Sequence, residues 1–65
     1  MKERLAKQMK RLRGQRGLTQ AQLAKKAGLS WGYLARMEIG MHDPSLSTVQ
    51  RLAKALKVSV AELVR

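Results

Sequence analysis

Sixty-five residues make one small domain, and a chain this short buries only about 60% of the surface its unfolded form exposes. With no Cys, no Phe, one Trp and one Tyr, neither a disulfide nor a thiolate-held zinc can staple a thin core of Met, Leu, Val and Ala. Fourteen Lys plus Arg against four Asp plus Glu leave a formal net charge of +10, a self-repulsion that points to a polyanionic partner.

The pattern predicts five short helices and no strand, because apolar/polar alternation with β-branched enrichment nowhere persists for a strand's length. The first helix is expected from about Lys2 to Arg13. Leu5, Ala6, Met9 and Leu12 share one stripe at about 100° per residue, with Lys7, Lys10 and Arg11 outside it. Arg13 falls inside that stripe and needs a buried or half-buried partner. Gly14 and Gly17 are expected to end the helix. Thr19-Gln20-Ala21-Gln22 is a capping box, opening a second helix with Leu23, Ala24 and Ala27 on its inner face. Gly28 stops it in a left-handed cap. Ser30 caps a third helix reaching about Ile39 and ended by Gly40, and Met41-His42-Asp43-Pro44 is a loop. Ser47-Thr48-Val49-Gln50 reads as a second box, leading a helix with Val49, Leu52, Ala53 and Leu56 inward. Ser59-Val60-Ala61-Glu62 reads as a third, starting a short helix with Val60, Leu63 and Val64 inward.

The segment from Gln20 to Ile39, two helices joined by a short turn containing Gly, has helix-turn-helix geometry. Ala24 is small where the helices cross, and Gly28 reaches positive φ at low cost. Leu23, Ala27, Leu29, Leu34 and Met37 are apolar where the pair wedges onto the first helix. The run Leu18-Thr19-Gln20-Ala21-Gln22-Leu23-Ala24-Lys25-Lys26-Ala27-Gly28-Leu29-Ser30 resembles the lambda-repressor/Cro-like (Xre-type) DNA-binding domains of bacteria and phages. So do Tyr33-Leu34-Ala35-Arg36-Met37-Glu38 and the tail Leu52-Ala53-Lys54-Ala55-Leu56-Lys57-Val58-Ser59-Val60. The resemblance implies an all-α, compact five-helix fold, a single domain over residues 1–65 with its helix-turn-helix at 19–39. The third helix would lie in the major groove of double-stranded DNA.

The third helix supports this independently. At about 100° per residue Leu34 and Met37 point inward, Tyr33 and Glu38 flank them, and Trp31, Gly32, Ala35, Arg36 and Ile39 face out. A solvated face carries several charges; this one carries Arg36 among small and apolar residues. Small residues let a helix sink close to base edges, and Arg grips guanine in a bidentate fork. The alternative is that Trp31 and Ile39 pack against a neighbouring subunit. By resemblance, Ser30, Trp31, Gly32 and Arg36 match base-reading or adjacent positions, although Trp31 and Gly32 depart from the residue types usual there. Gln20 matches a phosphate-holding position, with helix capping as its other role. Tyr33 can offer its hydroxyl to a phosphate; His42 reads as a surface-loop histidine, in a loop that by resemblance would approach the DNA backbone. Arg13 and Glu38 match a structural ion pair tying the first helix to the end of the third. Lys2, Lys7, Lys25, Lys26, Lys54 and Lys57 read as a solvated, steering face.

One His and four scattered carboxylates offer no catalytic pair and no metal cluster, so an enzyme, a metal and a cofactor are not expected. No apolar run approaches the roughly 20 residues of a membrane span, and the basic start Met1-Lys2-Glu3-Arg4 is followed by no signal-like apolar stretch. The expected function is sequence-specific duplex binding by a repressor-like transcriptional regulator, or by an isolated or engineered module. The location would be cytoplasmic, associated with a bacterial or phage-like nucleoid. A homodimer on a two-half-site operator and a charge-assisted monomer both fit. A protein-interaction module of the antitoxin-like kind is the rival; it would favour a long extra helix or tail, and the chain stops at Arg65 without one. A basic amphipathic membrane peptide is argued against by the capping boxes and Gly punctuation.

Overall fold

A computed structural model describes residues 2–65; the side chain of Lys2, expected on the solvated face, lies outside the described ones. Five helices follow one another: α1 Lys2–Gln15, α2 Gln20–Ala27, α3 Trp31–Glu38, α4 Leu46–Leu56 and α5 Val60–Val64. Among the described residues there is no strand, and no helix is long and apolar enough to cross a membrane. The expected stripes meet in one core. Met9, Leu23, Leu34, Leu52, Leu56 and Leu63 are wholly enclosed, and Leu29, Tyr33, Val60 and Val64 pack against them half-buried. α1 packs on α3 and α5, α2 on α3 and α4, and α4 on α5.

Two boundaries differ from the sequence expectation. α1 runs through Gly14 to Gln15, because a helical Gly weakens a helix by up to about 1 kcal/mol without stopping it. The turn comes at Gly17 (φ 66°), beyond which the Leu18 N–H donates back to the Arg13 carbonyl at 3.1 Å. α4 begins earlier than the Ser47 box implied. Its cap is Ser45, whose hydroxyl accepts from the Thr48 N–H at 3.3 Å, and Ser47 already lies in the first turn. Ser45 serves the same orphan donors, and Thr48 three residues on hides the usual Glu/Gln signature. The boxes at Thr19 and Ser59 are both formed. At the second, hydrogen bonds from Ser59 hold the Glu62 carboxyl below its ordinary value.

Gln8 of α1 and Arg16, just past the end of that helix, fasten the far end of the chain. Gln8 Nε2 donates to the Glu62 carbonyl and Arg16 Nε to the Leu56 carbonyl, each at 2.9 Å. The second bond satisfies a carbonyl that the C-terminus of α4 leaves open. Lys57 then turns the chain with φ 59°, the one non-Gly residue of the described chain at positive φ. Left-handed backbone costs an L-residue about 1–2 kcal/mol, and the entropic cost of Gly is about 0.5–1 kcal/mol. Lys57→Gly is therefore expected to stabilise the fold by about 0.5–1 kcal/mol, read as a raised melting temperature. An unchanged or lowered melting temperature contradicts the strain assigned to Lys57.

Candidate nucleic-acid interface

The α2–turn–α3 unit is set by three local features. Thr19 and Gln22 cap α2 reciprocally, with bonds of 2.8 and 3.1 Å. Gly28 closes α2 at φ 71°, and the Leu29 N–H returns to the Ala24 carbonyl at 2.9 Å. Ser30 opens α3 by accepting the Tyr33 N–H at 3.1 Å. Ala24, 2% exposed, sits where α2 and α3 approach. Arg51 of α4 adds a bond that no sequence signal announced, donating to the Gly28 carbonyl at 3.4 Å.

Beneath α3 lies a chain of polar contacts. Glu38, expected at the flank of the inner face, is fully buried, at 2% exposure. Arg13 grips it with Nε at 2.8 Å and Nη2 at 3.1 Å, and spends Nη1 on the Leu18 carbonyl at 2.9 Å. The carboxylate goes deeper than periodicity indicates because Gln20 also serves it, donating Nε2 to Oε1 at 3.1 Å. The other end of the same amide accepts the Trp31 indole N–H at 3.3 Å. Trp31 and Glu38 are seven residues apart and so lie along one edge of α3, between its buried and exposed faces, which Gln20 spans. No buried side-chain polar atom among the described residues lacks a partner.

The face turned away from the core carries exposed Trp31, Gly32, Arg36 and Ile39, with Ala35 half-buried beside them. Here a second cluster forms. Arg36 Nε donates to His42 Nε2 at 2.9 Å, and His42 meets the Tyr33 ring edge-on, 5.3 Å between centroids. Although Arg36 faces out as expected, His42 competes for its guanidinium. The loop after α3 folds back far enough for His42 to take one of its five donors, a long-range contact that helix periodicity cannot register. Of the residues singled out from sequence, Gln20, Trp31, Arg13 and Glu38 are joined in one network. Gly32, Tyr33, Arg36 and His42 gather in another, while Ser30 is used as a cap. The Leu18 carbonyl was not foreseen as part of the site. Among the described residues no group of three or more acidic or His side chains could hold a metal.

Comparison with known proteins is consistent along the chain. The model of the helix-turn-helix family matches residues 9–63. The chain is 45% identical over 60 residues to the immunity repressor protein of Bacillus phage phi105, covering 92% of this chain but 42% of that protein. It is 39% identical over 64 residues to an HTH-type transcriptional regulator of Sinorhizobium fredii, covering 98% of this chain and 83% of that one. The fold is similar to the restriction-modification controller protein C.AhdI from Aeromonas hydrophila. There the TM-score is 0.92 at 32% identity, with 95% of this chain and 94% of that chain covered.

The buried carboxylate generates a prediction. Glu38→Gln keeps the volume but leaves the half-buried Arg13 cation without its charge partner. A cost of about 1–3 kcal/mol is expected in denaturant unfolding. The bases preferred in a selection experiment are expected to stay the same. A change in preferred bases at unchanged stability would assign Glu38 a direct part in recognition.

Proposed function

The chain belongs to the helix-turn-helix family, and from that membership we propose that it is a sequence-specific duplex-DNA-binding regulator of transcription rather than an enzyme. The observation that carries this is the outer face of α3. It holds exposed Trp31 and Arg36 among small residues and is tied to α1 and α2 through Glu38, in a chain of net charge +10. Affinity then comes from phosphate neutralisation, and specificity from a few side chains reaching base edges in the major groove. Trp31 and Arg36, with Ser30 and the backbone at Gly32, face the bases. Gln20, Tyr33 and His42 meet phosphates along the rim. Gln20 can do so while bracing α3, since the second proton of its amide nitrogen is free to donate.

Residues 1–65 act as one DNA-binding domain, with residues 19–39 as its helix-turn-helix. A module of this size buries only about 600–1,000 Å² on DNA, so tight binding calls for two copies on two half-sites or for a monomer assisted by charge. The setting of such a regulator is the bacterial cytoplasm, on nucleoid or phage DNA.

Site selection from a random duplex library tests the proposal, followed by two measurements on the winning site. Affinity is expected to fall steeply with salt, by about 0.9 log units per log unit of salt for each phosphate neutralised, with on the order of three to six phosphates per monomer. A flat salt dependence contradicts the electrostatic part. Arg36→Ala is expected to relax preference at one base pair by about 1–3 kcal/mol while barely changing non-specific binding. Lys54→Ala removes the same charge from the exposed side of α4 and serves as the control. Uniform weakening of every duplex by Arg36→Ala would make Arg36 a phosphate contact.

A further inference from the structure

Base contact alone does not explain why Arg36 is held by His42 and runs over a Gly. The guanidinium has one Nε–H and two Nη groups, and it can address a guanine either through the Nη pair or through Nε with its neighbouring Nη. The bond from Nε to His42 Nε2, at 2.9 Å, closes the second approach and leaves the Nη pair as a forward-facing fork. Gly32 lies one turn earlier on the same face. A Cβ built there would stand 3.3 Å from Arg36 Nη1, tighter than ordinary contact, so a side chain at this position makes the guanidinium give by a few tenths of an ångström. Tyr33 fixes the other partner, its ring packed edge-on to the imidazole at an interplanar angle of 62°.

We propose that His42 and Gly32 are positioning residues that preset Arg36 for guanine through its Nη fork, and that a proton on His42 releases it. The proposal rests on Arg36 being a base-reading residue. To accept from Arg36, His42 must carry its proton on Nδ1 and keep Nε2 bare; an imidazolium has no acceptor left and repels the guanidinium. The groups that meet the imidazole are Arg36 and Tyr33 on α3, and Asp43 follows it in sequence. Imidazole is the pH switch among side chains, so protonation of His42 couples discrimination to pH. The sign follows from the acceptor. In alkali the fork is held and the guanine preferred. In acid the fork is loose, while the added charge strengthens binding to any duplex.

The test reads the affinity ratio between the best duplex and the duplex altered at the base pair that Arg36→Ala relaxes, at about pH 8 and about pH 5.5. A phosphate contact by His42 affects both duplexes alike and cancels in the ratio. The wild-type ratio is expected to fall by about three- to tenfold in acid, the worth of one hydrogen bond. His42→Ala is expected to show the low ratio at both pH values. His42→Gln offers an amide oxygen to Nε and keeps a high ratio that no longer depends on pH. Gly32→Ala lowers the ratio at both pH values although Ala is the better helix former, so lost folding cannot account for it. A pH-independent wild-type ratio, or a His42→Ala ratio equal to wild type, overturns the proposal. If Arg36→Ala relaxes no base pair, the base-reading assignment itself falls and this proposal with it. If Arg36→Ala relaxes one and His42→Ala does not, only the positioning role falls.

Discussion

Glu38 is a carboxylate at 2% exposure in a core otherwise made of aliphatic side chains and methionine, and a buried charge of that kind must be met from more than one side. Arg13 meets it from α1 and Gln20 from α2, so the end of α3 is referenced to both helices it packs on. Aliphatic contacts could hold the three helices together equally well, but they are non-directional and tolerate small rotations and slips. An ion pair with fixed hydrogen-bond geometry does not. Buried ion pairs seldom out-stabilise apolar replacements, and register is the best attested of their uses. The network ends at Trp31 on the opposite end of α3, so both ends of the helix facing DNA are tied to one buried carboxylate.

The second constraint is charge. An excess of ten positive charges works against folding in a domain with so thin a core, and its placement along the helices eases this. Arg13, Lys25, Lys26, Arg36 and Lys54 all lie in the last turns of their helices, where the backbone dipole favours a cation. Arg16 goes further and donates to the open Leu56 carbonyl. The N-termini of α2 to α5 carry Thr19, Ser30, Ser45 and Ser59 as caps, typically worth about 1 kcal/mol each. Much of the domain's definition is thus made at helix ends.

Those helix ends also explain how much was readable from the sequence. Apolar periodicity placed every buried position of α1, α2 and α4, since a stripe at helical spacing has only one way to face a core. Arg13 announced the need for a partner, because a cation within an apolar stripe needs one, and the family resemblance pointed to Glu38. Where two serines compete to cap one helix, as Ser45 and Ser47 do, local pattern cannot choose, and the α4 boundary moved accordingly. Glu38 went deeper than its angle on the helix wheel implied, because burial depended on two residues from other helices. The Arg36–His42 contact and the Arg51–Gly28 bond join segments whose approach only the folded chain defines. Contacts across elements that neither a stripe nor the family resemblance marked were the unreadable part.

The Arg13–Glu38 pair contributes orientation more than stability, and replacing both partners by Met in one variant separates the two. Apolar replacement of a buried pair is commonly neutral or stabilising, while its directional restraint disappears. Unfolding and discrimination between the best duplex and its single-base variants are measured on the same preparation. The expected result is a melting temperature near that of wild type, an unchanged salt dependence, and discrimination flattened at every read position. A double variant that melts like wild type and still discriminates like wild type would contradict the claim.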